Sequence, residues 1–449
     1  MFLRRYDFQK AAKKAVLNQK WGMLIELPVG VGKSLVLYDV ISSLKGPVFI
    51  CSFKYVLYQH LFETSVHLPF FNRIFIKKKA ELIPRLTKDD IVFMTPEIMS
   101  GKLKELCLQQ YKLICFDESQ MLKNWSSIRA KSAVTFCEMQ PKAKKLLLSA
   151  TPAPENIGEL QPQMQCINRK ILGRSKTFRS MHERTMMVKG YWKKYYVHED
   201  EIIKRVAPYI FTWPENKLPL PEQKTKRIYL EMPEDLREAY EEFKQTCMLT
   251  IPLDELVKTI ISTNAHTKLL QICAGFIIDT KATKIAGEII SYKLSDFKAK
   301  LKRDMCKDLD CSIIVWGTFR QELKLYSELI KDSKLIIGGT RKGDQIIQDF
   351  KDEKFKVLIA HPKCIGAGVS LEVAGAQIAG SIDPSCCLYI QSEGRTRRIN
   401  QIQDVTRYEL VYARTMEAIM LKRVLAKVSK QEQFLDSVLK ESLKEEFKL

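Results

Sequence analysis

Leu113-Ile114-Cys115-Phe116-Asp117-Glu118-Ser119-Gln120-Met121-Leu122-Lys123-Asn124 is the stretch on which the fold turns. A short, wholly apolar run that stops at two acids reads as a parallel strand covered on both faces, with polar chemistry at its carboxyl end. There Asp117 is placed to hold the magnesium of a bound nucleotide. Glu118 is placed to orient and deprotonate an attacking water, the division of labour that phosphoryl transfer requires. Gln120 joins them as a third catalytic candidate.

Working outward, Leu27-Pro28-Val29-Gly30-Val31-Gly32-Lys33-Ser34 follows another apolar run and precedes a helical segment at 35–40. Gly30 and Gly32 let backbone amides close around phosphate oxygens, Lys33 neutralises the β and γ phosphates, and Ser34 joins Asp117 as a magnesium ligand. Pro28, Val29 and Val31 complete the loop, and Leu27 stands where the first glycine of the usual pattern would be. ATP and Mg2+ are the cofactors expected.

Apolar runs at 22–27, 48–53, 91–94, 113–116 and 145–148 alternate with helix-length segments, which predicts a doubly wound parallel α/β domain. The pattern returns from about residue 285, at 313–316, 334–337, 357–360, 376–381 and 408–412. A helix is expected over 321–331, with Leu323, Tyr326 and Ile330 on one stripe. Residues 166–284 lose the strand pattern and read as basic, Pro-containing loop followed by helices. Leu236, Tyr240, Phe243 and Cys247 fall at helical spacing, as do Leu269, Ile272 and Cys273. The tail from Glu417 is helical, with Phe434, Leu435, Val438 and Leu439 on an apolar side suited to packing on the first domain. The expected boundaries are 1–165, 166–284, 285–430 and 431–449.

With 449 residues, 46% apolar and 28% charged, the chain has the composition of a globular protein of two domains. No apolar run reaches the length of a membrane span, and charges follow Met1-Phe2-Leu3 at once. The expectation is no signal peptide, no membrane contact and a cytoplasmic location, or the nucleoid or host cytoplasm for a phage-encoded protein. Twelve cysteines include no Cys-x-x-Cys, and Cys51 and Cys115 sit in apolar runs, which favours buried thiols. The net charge of +21 recruits polyanions. Residues 166–230 hold 15 Lys or Arg against 6 Asp or Glu, with Tyr191, Trp192, Tyr195 and Tyr196 among Lys189, Lys193 and Lys194. This reads as a solvated basic face over packed aromatics or as a surface for phosphates and branched nucleic acid.

Asp117-Glu118-Ser119-Gln120-Met121-Leu122-Lys123-Asn124 resembles motif II of the Swi/Snf-like group of superfamily-two DNA helicases and translocases. Gln391-Ser392-Glu393-Gly394-Arg395-Thr396-Arg397-Arg398-Ile399-Asn400-Gln401 resembles its motif VI, Ser149-Ala150-Thr151-Pro152 its motif III and Ile365-Gly366-Ala367-Gly368-Val369-Ser370-Leu371 its motif V. Gln9 resembles the adenine-reading glutamine. Lys268-Leu269-Leu270-Gln271-Ile272-Cys273 looks like the helix before the family's second domain, and Leu220-Pro221-Glu222-Gln223-Lys224 keeps part of a family element whose paired arginines are missing from 209–217. The match is reminiscent of compact fork-remodelling members and of small phage-encoded helicases.

The resemblance implies two RecA-like domains that close on ATP. It makes Arg398, then Arg395, the candidate arginine finger, with Arg397 facing elsewhere, and gives Gly368 and Gln391 to the nucleotide. Ser52, Lys54, Thr95, Pro96, Lys123, Asn124, Thr318, Arg320 and Ser370 are the expected contacts to a DNA backbone, which position a strand without reading bases. The implied activity is ATP-dependent movement on duplex or forked DNA in replication, recombination or repair. An RNA helicase and an ATP-gated DNA clamp stay open as alternatives.

Overall fold

The computed structural model describes residues 5–188, 191–253, 256–262, 264–365, 369–399, 401 and 404–447. The chain divides into two compact units, Met1–Pro219 with Lys427–Leu449 and Leu220–Ala426. Residues 166–284, expected as one intervening region, are thus shared between the units at Pro219 and Leu220.

In the first unit β1 (Gly22–Glu26), β2 (Val48–Cys51), β3 (Asn72–Phe75), β4 (Asp90–Met94), β5 (Leu113–Asp117) and β6 (Lys144–Ser149) precede an antiparallel hairpin, β7 (Glu183–Val188) and β8 (Tyr191–Tyr196), and a short β9 (Ile210–Phe211). The sheet runs β3-β4-β2-β5-β6-β1-β9 with every pair parallel. Parallel neighbours need crossover connections, so helices cover both faces and the central strands are shielded from water. β1, β2, β4 and β5 are accordingly buried along their whole length. The late part of the helix Met416–Phe447 belongs to this unit, where Val438 is fully buried in the core and Phe434 packs against it.

In the second unit β10 (Gln223–Leu230), the hairpin of β11 (Met248–Leu253) and β12 (Leu256–Ile261), and the pair β13 (Phe276–Ile278) and β14 (Ser291–Lys293) lead into β15 (Ser312–Trp316), β16 (Ser333–Ile336), β17 (Val357–Ala360), β18 (Ala374–Ala379) and β19 (Val405–Tyr412). A second all-parallel sheet runs β10-β19-β18-β15-β17-β16. Its edge strand β10, the hairpins β7–β8 and β11–β12, and β13 lie in the region expected as loop and helices. They accompany helices at Ser175–His182, Glu199–Val206, Glu234–Thr246, Ala265–Cys273 and Thr280–Ala286. Both units are doubly wound α/β layers. Among the described residues no helix is long and apolar enough to cross a membrane.

Candidate nucleotide and nucleic-acid site

Three adjacent strands of the first unit end side by side. Glu26 of β1 pairs with Ser149 of β6, and Asp117 of β5 pairs with Leu148. The phosphate loop, the acidic pair and the Ser-Ala-Thr segment are therefore neighbours at the carboxyl edge, where open α/β sheets take ligands.

The loop is shaped by glycine. Gly30 (φ 87°) and Gly32 (φ 82°) lie in the left-handed region, and a Cβ on Gly32 would come 2.8 Å from Gln9 Nε2. Gly32 caps the helix Lys33–Ser43, so the helix's first amides face the loop, a ready anion site. Lys33 Nζ donates to the carbonyls of Leu27 (2.8 Å) and Pro28 (2.9 Å), which keeps the ammonium inside the cradle. Val31 is fully buried, while Pro28, Val29 and Ser34 are half-buried. Gln9 donates through Nε2 to the Val31 carbonyl (2.9 Å) and accepts from the Tyr6 amide (3.1 Å). Its carboxamide braces the loop, a bond that its expected role at adenine does not include.

Asp117 accepts from the Glu118 amide through Oδ1 (2.9 Å), and its Oδ2 lies 2.8 Å from His60 Nε2. His60, on the helix Lys54–His67, is buried and meets Tyr38 Oη through Nδ1 (2.7 Å); that phenol also donates to Glu63 (2.8 Å). His60 and Tyr38 are residues the sequence did not point to, because a lone histidine on a helix carries no local signal. Glu118 sits at φ 58°, ψ 52°, a left-handed conformation that costs a non-glycine residue on the order of 1–2 kcal/mol and is found at functional turns. Gln120 Nε2 donates to Glu118 Oε2 (2.5 Å), and Ser149 Oγ donates to Gln120 Oε1 (2.7 Å). The Thr151 amide in turn donates to Ser149 Oγ (2.9 Å). A buried relay thus runs from the Ser-Ala-Thr segment to the candidate base.

Close by, burial raises the Glu26 carboxyl to about 7, against the opposing hydrogen bond from Thr212 and the charge of Lys33. The tail helix reaches this edge as well, with Gln431 Nε2 on the Ala150 carbonyl (2.9 Å) and Lys427 on Glu155 (2.6 Å).

The expected nucleic-acid contacts of the first unit differ in accessibility. Lys54 and Asn124 are exposed, Thr95 and Lys123 half-buried, and Pro96 buried. Lys123 pairs with Glu159 at 3.3 Å. Ser52 is fully buried and donates to the Asp117 carbonyl (2.9 Å), so its hydroxyl serves the acidic strand end.

Within the second unit, Arg395 is 2% exposed and donates to the carbonyls of Ile365 (3.3 Å) and Val369 (3.5 Å). Gly368, between those two, and Asn400 lie outside the described residues. Arg397 donates to the Pro221 carbonyl (3.1 Å). Arg398 and Gln391 are half-buried. Burial, then the charge of Arg398, lowers Lys351, a residue the sequence did not single out. A buried network holds this motif: Arg407 binds Gln377 (2.9 Å), Ser392 (3.3 Å) and Glu409 (3.0 Å), and Gln377 reaches Thr396. The Thr318 amide donates to Ser381 Oγ (2.7 Å), Arg320 to the Gly338 carbonyl and Ser370 to Glu372 (2.9 Å).

The donor set fits a magnesium nucleotide. Ser34 and Asp117 offer the hard oxygens that Mg2+ prefers, and the glycine cradle and Lys33 suit phosphate. Fold and site together define a protein of two parallel α/β units, the first with a glycine-rich loop between β1 and the helix Lys33–Ser43. The SNF2-related domain matches residues 59–308, more than half the chain, and the chain belongs to that family.

Two curated relatives are similar. A Mycoplasma pneumoniae protein named as an uncharacterized ATP-dependent helicase is 22% identical over 360 residues, covering 76% of this chain and 32% of that protein. A Caenorhabditis elegans homolog of SWI/SNF-related matrix-associated actin-dependent regulator of chromatin subfamily A-like protein 1 is 28% identical over 184 residues, covering 40% and 26%. The chain spans a third or less of the length of these relatives. The Sulfolobus solfataricus SWI2/SNF2 ATPase core in complex with dsDNA aligns over 99% of this chain and 96% of its own, at 19% identity and a TM-score of 0.43.

Proposed function

We propose that this protein is an ATP-hydrolysing DNA translocase that moves on duplex or forked DNA and remodels or unwinds it. The observation that carries the reading is the relay Ser149 to Gln120 to Glu118, beside Asp117 and one strand from the phosphate loop. In this reading Lys33 and the loop amides bind and orient the phosphates, and Ser34 and Asp117 hold Mg2+, which neutralises charge on the transferring group. Glu118 takes the proton of the attacking water, and Gln120 fixes its carboxylate. Arg398 supplies positive charge to the γ-phosphate during transfer, with Arg395 as the second candidate.

Residues 1–165 and 285–430 are the proposed motor halves. Lys54, Thr95, Lys123, Asn124, Thr318, Arg320 and Ser370 contact the DNA backbone, and the +21 charge raises the encounter rate with it. Family membership, the two relatives named above and the charge support the reading.

The test is steady-state ATP hydrolysis with magnesium against equal nucleotide concentrations of single-stranded, duplex and forked DNA and of structured RNA. Stimulation by duplex or forked DNA is the expected result. Preferential stimulation by RNA overturns it in favour of an RNA helicase. Hydrolysis that DNA stimulates without displacement of a bound roadblock overturns movement in favour of a clamp.

A further inference from the structure

The hairpin of β7 and β8 keeps an aromatic ring and two methionines in solvent among cations. On one face Met187 pairs with Trp192, Thr185 with Lys194 and Glu183 with Tyr196; on the other, Arg184 pairs with Tyr195 and Met186 with Lys193. Trp192 is 71% and Met187 60% exposed, and Met186 and Tyr195 are exposed behind them. The cross-strand pairing of Met187 with Trp192 steadies the ribbon but leaves the outer surface of both side chains in solvent. The only acid of the hairpin, Glu183, takes Lys194 Nζ at 2.8 Å. Arg184 and Lys193 have no acidic partner among the described residues, within a stretch that is strongly basic throughout. Flat rings among cations suit stacked bases and their phosphates.

The root of the hairpin joins it to the ATP-site segments. Arg179, on the helix Ser175–His182 that runs straight into β7, lies 3.9 Å over the ring of Trp125, just past Lys123 and Asn124. Tyr196, at the end of β8, covers Gly158 so closely that an added Cβ there would overlap the ring. Its neighbour Glu159 pairs with Lys123. Both the acidic-pair segment and the Ser-Ala-Thr segment therefore continue into residues that hold the hairpin.

We infer that this hairpin is a nucleic-acid junction element: Met187 and Trp192 stack on the first unpaired base of a forked duplex, and Arg184 and Lys193, on the opposite face, add the positive potential that draws its phosphates to the ribbon. Apolar side chains that enter base steps unstack them at a cost of a few kcal/mol, which makes an already unpaired end the favoured place. The inference rests on the proposed function, and its test separates the two.

The probe is a forked duplex with 2-aminopurine as the first unpaired base, used with the full chain, magnesium and ATP. The unaltered protein should change the probe's fluorescence. Trp192→Ala should abolish that change and slow strand displacement roughly tenfold, the scale of one stacked base, with ATP hydrolysis on blunt duplex within about twofold. Trp192→Phe should restore most of both. Unchanged fluorescence and displacement in Trp192→Ala overturn the inference, and so does an equal fall of displacement and duplex-stimulated hydrolysis. If DNA fails to stimulate even the unaltered protein, the proposed function fails first and takes the inference with it.

Discussion

The acidic pair of the first unit and the arginines of the second are held by different means. In the first, side chains bind side chains: Ser149 to Gln120, Gln120 to Glu118, His60 to Asp117. In the second, arginines bind backbone, Arg395 to the carbonyls of Ile365 and Val369 and Arg397 to that of Pro221. A side-chain relay fixes the direction of a reactive atom, so its loss should appear in rate. A guanidinium that closes a loop leaves buried carbonyls unsatisfied when removed, so its loss should appear in stability, at about 1–3 kcal/mol for each stranded group.

The largest expected effect tests that contrast inside the second unit. Arg398→Ala should lower kcat by about 10³- to 10⁵-fold with Tm little changed, the scale of an arginine that stabilises phosphoryl transfer. Arg395→Ala should lower Tm as well, because Arg395 is buried among carbonyls. Thermal melts alongside single-turnover hydrolysis read both, and equal Tm losses would break the distinction.

Next comes Glu118→Gln, which should cost about 10²- to 10⁴-fold in kcat while nucleotide and DNA binding persist. Hydrolysis at the unaltered rate would remove Glu118 from the role of base. Ser149→Ala should follow it more weakly, since it acts through Gln120.

Smaller again is His60→Ala. A partner that orients a metal-ligating carboxylate is typically worth about 10- to 100-fold in metal affinity, so half-saturation by Mg2+ should rise on that scale. Mn2+ binding followed by its paramagnetic signal gives the same answer without turnover. An unchanged metal affinity would reduce His60 to a packing residue.

A separate effect lies in pH, read in stability and not in rate, where the units should respond with opposite sign. Burial raises Glu26 from 4.5 to about 7, so between those values the folded chain keeps a proton that the unfolded chain has released. First-unit stability then falls as pH rises through that window, by on the order of 2–3 kcal/mol, and Glu26→Gln should remove the fall. Burial lowers Lys302 from 10.5 to about 7, against the attraction of Glu322. There the unfolded chain binds the extra proton between pH 7 and 10.5, so second-unit stability rises with pH, and Lys302→Met should flatten it. Hydrogen exchange in urea, followed separately for β1 and for the helix Phe297–Asp308, distinguishes the units.

The strands of both sheets were legible where burial on two faces left an unbroken apolar run, as in β5 and β17. β10 was not legible. Its sequence Gln223-Lys224-Thr225-Lys226-Arg227-Ile228-Tyr229-Leu230 alternates cations at a sheet edge, and it is a strand because it pairs with β19, far along the chain. The two longer hairpins carry the same lesson. In β11 and β12, Leu249, Ile251 and Ile260 are buried with Leu236, Tyr240 and Ile272 from the adjoining helices, while β7 and β8 keep Met187 and Trp192 in solvent. Composition alone does not separate these cases.

By itself the sequence marked the candidate phosphate loop, acidic pair and arginine motif, because each needs particular residue types at fixed spacing on one strand end or turn. It also determined the parallel α/β class, since a strand buried on both faces must be apolar throughout. The tertiary structure alone decided which groups support these: His60 behind Asp117, Ser149 behind Gln120, Arg407 and Gln377 behind the arginine motif. It alone turned Ser52 inward and left Trp192 bare. Those contacts join positions many residues apart, and hydrogen bonds and burial depend on distance in space, which local spacing along the chain does not encode.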